Sequence, residues 1–513
     1  MNNKIGREIP KHIDGYGPVK PFSGAFAQAA PARRYAPLLK QVRPGESKLV
    51  EDLETVFRRI PVRDGMTLSF HHHFRNGDGV LNQVLAVAAK LGLKNLTIMV
   101  SSIFPVHAPL IDHIRSGVVT GLDTDYVSGP VGKALSQGIL AKPVIFRTHG
   151  GRARAIEAAQ AHIDVAFIAA PAADAYGNIS GVQGETACGS LGYAMPDAEY
   201  ADHVVAVTNH LEDYPLLPAS IPQTRVDYVV RVDHIGDPRG IVSGTTTITK
   251  DPVGLVIARS AAQVIEASGL LKNGFSFQTG AGGASLAAAK FVAQMMKRDG
   301  IVGSFIMGGI TAYLVEMLNQ GLFRKIVDVQ DFDLDAVRSL AANPNHVEVS
   351  AGLYASPFNS GCVVNQLDTV ILGATEIDTD FNVNVVTGSD GTIMGGSGGH
   401  SDAAAGAKLT IIVANLLRGR LPILMDRVLT ATTPGETIDV LVTEQGIAVN
   451  PARTDLLDRF KAARLPVQDV HELKRLAEKI AGIPETPRNN GRIVAVVEYR
   501  DGTIIDVVRQ VND

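Results

Sequence analysis

The stretch Gly373-Ala-Thr-Glu-Ile-Asp-Thr-Asp-Phe-Asn-Val-Asn-Val385, with Gly395-Gly-Ser-Gly-Gly-His-Ser-Asp402 behind it, decides how the chain is read. The apolar run Thr369–Leu372 leads in and predicts a buried strand. Asp, Asn and Gly then crowd in, the composition of loops that present side chains and backbone amides from a scaffold. Four glycines within five residues let the backbone approach a ligand without a Cβ in the way. Successive amides there suit an oxyanion, a carboxylate or a phosphate. Two hairpin loops with ordinary turn chemistry are the plain alternative.

The first half carries an echo. Ala169-Ala-Pro-Ala-Ala-Asp-Ala-Tyr-Gly-Asn-Ile179 also follows an apolar run, Val165–Ile168, and Asp174 precedes Asn178 as Asp378 precedes Asn382. A Gly-rich connection and a second apolar run, Val204–Val207 and Leu409–Val413, follow each. Two diverged copies of one α/β domain explain the pattern.

At 513 residues the chain exceeds a single core. With 45% hydrophobic and 19% charged residues and a net charge of −4, it reads as soluble and globular, with no basic excess for nucleic acid. No apolar run approaches membrane-spanning length, and the polar N-terminus holds no signal core. Cys188 and Cys362 are the only cysteines, which excludes a disulfide framework and points to a reducing, cytoplasmic setting. Residues 1–50, rich in proline, predict an irregular arm. From Asp64 strands alternate with helices: Thr67–His71, Leu96–Val100, Val118–Leu122, Val144–Arg147 and Val165–Ile168 as strands, with helices over Asn82–Leu91, Leu110–Gly117, Gly132–Gly138 and Ala153–Ala161. That rhythm predicts parallel sheets covered on both faces. Asp213–Arg225, with three prolines, reads as the interdomain connection, which divides the chain into domains 1–225 and 226–513. Arg500-Asp-Gly502 predicts a closing hairpin with a primed turn.

Several local motifs carry chemistry. Gly280–Ser285, between a strand and a helix, can hold a phosphate, but Ser285 and the lack of an acidic residue after Met307 break the dinucleotide fingerprint. Gly129–Lys133 lacks the spacing of a P-loop. Gly395–Gly399 matches G-x-S-x-G, with Asp439 and His471 following in hydrolase order, yet His400-Ser-Asp402 stands before the expected helix. His71 and His73 share one face of a strand end, which suits polar packing, anion binding or a metal. His149-Gly-Gly-Arg152, at a helix start after a strand, favours a carboxylate or phosphate. Glu444, within Thr443-Glu-Gln-Gly446, reads equally as a cap or a site wall.

The Asp-x-x-x-Asn units, Gln278-Thr-Gly-Ala-Gly-Gly283 and Thr443–Gly446 resemble the coenzyme A transferase superfamily. More narrowly, Gly15–Ala27, Ser69–Arg75 and Ala374–Asn384 resemble the citrate lyase alpha-subunit family, over essentially residues 10–513. The resemblance implies two tandem, open, mostly parallel α/β domains with the active site between them. It implies an acyl swap in which acetyl-S-carrier protein and citrate give citryl-S-carrier protein and acetate. The partners implied are an acyl-carrier (gamma) subunit bearing a phosphopantetheine group, a citryl lyase (beta) subunit and further copies of the chain. No cofactor or metal is implied on this chain itself. A free-standing coenzyme A transferase, a thioester hydrolase and a non-catalytic scaffold are the alternatives.

Aligned by Leu318–Leu322, Gly308 occupies the place of the superfamily's covalent glutamate, which implies transfer through a mixed anhydride. The site residues expected are Gly398, Gly399, Glu376 and Asn382 for catalysis. Gln278, Gly280, Gly282, Gly283, Gly395 and Gly396 are expected against the thioester arm, and Arg152, Arg75, His71 and His73 against the citrate carboxylates.

Overall fold

The computed structural model describes residues 1–27, 39–242, 247–280, 282–485, 487 and 489–511, so part of the expected N-terminal arm lies outside the described residues. The first sheet takes β1 (Leu49–Val50), β2 (Thr67–Phe70), β3 (Leu96–Val100), β4 (Val119–Thr124), β5 (Val144–Phe146), β6 (Val165–Ala170), β7 (His203–Thr208) and β8 (Tyr228–Arg231). The second takes β9 (Phe277–Thr279), β10 (Gly303–Ile310), β11 (Phe323–Asp331), β12 (His346–Glu348), β13 (Thr369–Gly373), β14 (Leu409–Val413), β15 (Val440–Thr443) and β16 (Gly446–Val449). The chain then returns to the first sheet as the hairpin β17 (Asn489–Glu498) and β18 (Ile504–Val511).

The orders across the sheets are β18-β17-β5-β4-β3-β2-β6-β7-β8-β1 and β12-β11-β10-β9-β13-β14-β15-β16. The run β5-β4-β3-β2-β6-β7-β8 matches β12-β11-β10-β9-β13-β14-β15 position for position, and every pairing within both runs is parallel. The expected duplication is therefore a property of the fold. Its sequence signature is structural: Asp174 Oδ1 accepts from the amides of Tyr176 and Asn178, and Asp378 Oδ1 from those of Asp380 and Asn382. Asp174 Oδ2 takes the Leu216 amide and Asp378 Oδ2 the Val428 amide. Asn178 Oδ1 takes the Gln223 amide and Asn382 Oδ1 that of Gly435. Even the backbone repeats, with Gly177 at φ 97° and Phe381 at φ 65° in the same turn position.

Composition explains the layers. Every residue of β6, Val-Ala-Phe-Ile-Ala-Ala, is buried, as a parallel strand covered on both faces requires. Helix Val80–Lys90 buries Val80, Leu81, Val84, Leu85 and Ala88, one face at helical spacing, and sealing a leucine such as Leu81 contributes roughly 2 kcal/mol. Asp251 and Asp333 cap the helices Pro252–Ser268 and Leu334–Ala342 by accepting from the Gly254 and Ala336 amides.

Three expectations change. The sheets do not divide at 225/226: β8 lies in the first sheet beyond the proline-rich connection, and β17 pairs in parallel with β5. Asp213–Arg225 is thus a connection within the first sheet, between β7 and β8. The buried Arg147, pairing with Asp123 at 2.8 Å and with Glu498 of β17, pins the returning hairpin. The hairpin turn is also not primed: only Gly502 has positive φ (85°), which makes a type I turn with a glycine bulge.

Candidate active site

Parallel strands leave their carboxyl ends open to ligands, and here those ends from both sheets enclose a cavity of about 690 Å³. The first half contributes His72, Arg75, Phe104, Tyr126, His149 and Tyr193 to its lining. The second contributes Gln278–Gly280, Gly282–Ser285, Gly309, Gln330, Phe332, Tyr354 and the loop Gly396–His400.

The first-half wall is rich in nitrogen. Arg75, with φ 52° in the short turn after β2, holds its guanidinium between the Phe104 and Phe332 rings, 5.0 and 4.9 Å from their centroids. Burial pushes its pKa down from the ordinary arginine value. His72 Nε2 donates to Gln330 Oε1 at 3.0 Å, while Gln330 Nε2 donates back to the His72 carbonyl at 3.2 Å. That exchange stitches the two halves together and leaves Nδ1 to accept from the Ser101 hydroxyl at 2.5 Å. His149 opens helix His149–Glu157, and its Nδ1 meets Asp125 Oδ2 at 2.8 Å.

The second-half wall is mostly backbone. Gly282–Ser285 form the start of the helix Gly283–Asp299, whose first amides and dipole favour negative charge. Gln278 Nε2 donates to the Tyr354 hydroxyl at 3.1 Å, and among the described residues the buried Gln278 Oε1, Thr279 Oγ1 and Ser285 Oγ find no hydrogen-bond partner. In the loop Gly395–Gly399 the Gly398 amide is spent on the Asp125 carbonyl at 3.2 Å and the Gly395 amide on Val386. Among the described residues the Gly396, Ser397 and Gly399 amides bond no protein group, and all three residues line the cavity. A Cβ on Gly399 would stand 2.5 Å from the Tyr354 hydroxyl.

Several expected site residues stand elsewhere. Arg152 is buried in a forked pair, Nη1 and Nη2 at 2.7 and 2.6 Å from the Asp197 carboxylate, and does not line the cavity. His71 and His73 do share a face, but it is the buried one, and among the described residues none of their ring nitrogens has a hydrogen-bond partner. Glu376 Oε2 accepts from Asn384 Nδ2 and the Leu429 amide, and Asn382 belongs to the structural turn described above, so neither reaches the cavity. Gly395 lies just behind the lining. Arg75, Gln278, Gly280, Gly282, Gly283, Gly396, Gly398 and Gly399 line the cavity. Glu444 is a brace, accepting from the Leu416 amide at 2.9 Å.

The elbow reading of Gly395–Gly399 fails on partners. The helix does start at once, at His400, but Ser397 Oγ meets only Ser401 Oγ, at 3.0 Å. His400 donates to the Gly373 carbonyl, Asp439 is tied to Arg453, and His471 is exposed. Both cysteines are buried away from the cavity, and burial raises the pKa of each thiol. Among the described residues two groups have metal-like spacing: His162 with Asp164 and Asp202 at the surface, and buried Asp328, Asp331 and His346. In the buried group Nε2 of His346 already meets Asp328 at 3.2 Å and Nδ1 meets Ser339 at 3.0 Å, so the imidazole is satisfied without an ion.

Comparison with known proteins agrees with the fold. The family described as citrate lyase, alpha subunit (CitF), matches residues 46–511. The citrate lyase alpha chains of Klebsiella pneumoniae and Escherichia coli (strain K12) are each 50% identical over 468 residues, 91% of this chain and 92% of theirs. The citrate lyase alpha subunit of Streptococcus mutans, solved in complex with citrate, superposes with a TM-score of 0.96 at 50% identity, covering 100% of both chains. The malonate decarboxylase alpha subunit of Acinetobacter baumannii shares the fold, with a TM-score of 0.64 at 17% identity over 86% of this chain and 91% of its own. No helix among the described residues is long and apolar enough to cross a membrane. The chain belongs to the citrate lyase alpha-subunit family.

Proposed function

We propose that this chain exchanges acyl groups on a carrier-borne thioester, converting acetyl-S-carrier and citrate into citryl-S-carrier and acetate. The observation that carries the reading is the division of the cavity into a cationic, imidazole-bearing wall and a bare-backbone wall. Its volume of about 690 Å³ accommodates a small polycarboxylate beside a thioester arm. The Streptococcus mutans relative, solved with citrate, supports the choice of acid.

A citrate carboxylate oxygen attacks the acetyl carbonyl, the C–S bond breaks, and a mixed anhydride and the carrier thiolate result. The thiolate then attacks the citryl carbonyl and acetate leaves. Each step passes through a tetrahedral oxyanion, for which the Gly396 and Gly399 amides stand ready, one such donor being worth about 3 kcal/mol. Arg75 holds a second carboxylate. Gly308 leaves no place for a covalent glutamate: its φ is 97°, and a Cβ would meet Gln278 Nε2 at 2.9 Å. The phosphopantetheine group comes with the carrier subunit, and a citryl lyase subunit and further copies of this chain complete a cytoplasmic assembly.

Purified chain incubated with citrate and an acetyl thioester, as the coenzyme A ester or on a carrier protein, tests the reading. Stoichiometric acetate and citryl thioester are expected, with no hydroxylamine-sensitive acyl group on the chain. Hydrolysis without citryl thioester would replace the reading with a thioesterase.

A further inference from the structure

Asp125 follows β4 and His149 follows the adjacent β5, so neighbouring strand ends bring together residues 24 positions apart, with Oδ2 and Nδ1 at 2.8 Å. Asp125 is fully buried, and among the described residues its Oδ1 has no hydrogen-bond partner. With Nδ1 occupied, His149 turns Nε2 toward the glycine loop, where a Cβ on Gly398 would stand 3.3 Å from it. The ring is held from the sides by Tyr193 and His72, at centroid distances of 4.3 and 5.6 Å. An imidazole edge thus enters the cavity beside the Gly396 and Gly399 amides.

Such a dyad can do one of two jobs. Carrying two protons, the pair has zero net charge and presents Nε2–H, a donor, whichever atom holds the proton between Oδ2 and Nδ1. Carrying one proton, it is anionic and presents a bare Nε2, a base. The acyl transfer described above has no work for a base, because its nucleophiles are a carboxylate and a thiolate. It does have work for a donor, because each tetrahedral intermediate develops a negative oxygen. A bare Nε2 would instead repel both that oxygen and the citrate.

We infer that His149 is a catalytic hydrogen-bond donor to the transfer oxyanion, third beside the Gly396 and Gly399 amides, and that Asp125 is its positioning residue. The inference rests on the acyl-transfer reading for the identity of the oxyanion. The electrostatics agree. Burial raises the Asp125 carboxyl well above the usual range and lowers His149 to about 3, so both groups favour their neutral forms. Arg152, on the same helix, and Arg75, from the turn after β2, further disfavour an imidazolium, while Asp402, from the helix His400–Gly406, favours one. Arg152 and Arg147 pull the Asp125 carboxyl back down, while Asp123 and Asp402 add to the upward push of burial. The donor state is therefore present at low pH and is lost as pH rises through the raised value of Asp125, when the pair becomes anionic and Nε2 becomes bare.

The test pairs a spectrum with turnover. Imidazole ¹⁵N spectra of the substrate-free chain at neutral pH should show a proton on the His149 Nε2. In the acyl-transfer assay His149→Ala should lower kcat roughly 10²-fold with little change in the citrate KM. Asp125→Ala should lower kcat about 30-fold, between the effect of one lost hydrogen bond and that of the whole donor. Asp125→Asn, whose amide donates to Nδ1 and so fixes the Nε2–H tautomer, should restore kcat to within about threefold and remove the alkaline fall in activity. A bare Nε2, or an Asp125→Asn loss as deep as that of His149→Ala, overturns the donor role and makes the pair a base. Wild-type chain that shows Nε2–H but transfers no acyl group would count against the acyl-transfer reading instead.

Discussion

The ends of β2 and β9 occupy the same place in the two copies of the sheet, and they could hardly differ more. After β2 the chain runs His71-His-His-Phe-Arg75; after β9 it runs Gly280-Ala-Gly-Gly283. One end supplies an arginine between two aromatic rings and an imidazole tied across the cavity; the other supplies amides at a helix start. Duplication gave the protein two equivalent carboxyl-end rims. Only their loops diverged, one toward charged and aromatic side chains and the other toward bare backbone.

Breaking the backbone side should cost most. Gly399→Val removes a free amide's approach and drives a side chain into the Tyr354 hydroxyl, 2.5 Å from the first added carbon, so citrate turnover should fall at least roughly 10³-fold. Breaking the side-chain side should be milder and selective. Arg75→Ala should lower kcat/KM for citrate by roughly 10²-fold while acetate exchange with the acetyl thioester survives, since a charge-assisted contact is worth about 2–3 kcal/mol. An equal loss in both reactions would make Arg75 a structural residue.

The shared scaffold should respond alike in both copies. Asp174→Ala and Asp378→Ala each leave two turn amides and one distant amide without their acceptor, so each should destabilise by about 2–4 kcal/mol in denaturant titration. Effects differing severalfold would mean that the turns have taken on separate roles. The smallest effect is expected at Ser397, whose hydroxyl meets only Ser401: Ser397→Ala should keep turnover within about threefold, whereas a loss near 10⁴-fold with a trapped acyl-serine would restore the hydrolase.

The alternating strands and helices, the duplication and the glycine loops were legible because each rests on local pattern. Phase and distance were not. Alternation along β2 correctly put His71 and His73 on one face, but only packing against the Arg152–Asp197 pair makes that face the interior and sends His72 to the cavity. Arg152 looked like an anion clamp from its place after two glycines; in the fold its fork is already filled by Asp197. The motif His149-Gly-Gly-Arg152 does open a helix as expected, but it is His149 and not Arg152 that lines the cavity. Asp125 gave no local signal, since its partnership with His149 exists only because β4 and β5 are neighbours. Glu376 and Asn382 belong to a motif that is real, yet the repeat in the first half shows that the Asp–Asn unit builds a turn and not a site.

The central claim is that citrate is held by the first-half wall while the thioester lies along the second. The structure of this chain with citrate bound tests it most directly. A citrate carboxylate about 3 Å from the Arg75 guanidinium, and another facing His149 Nε2, is the expected arrangement. Citrate seated on the Gly282–Ser285 amides, with Arg75 left facing its two phenylalanines, would contradict it.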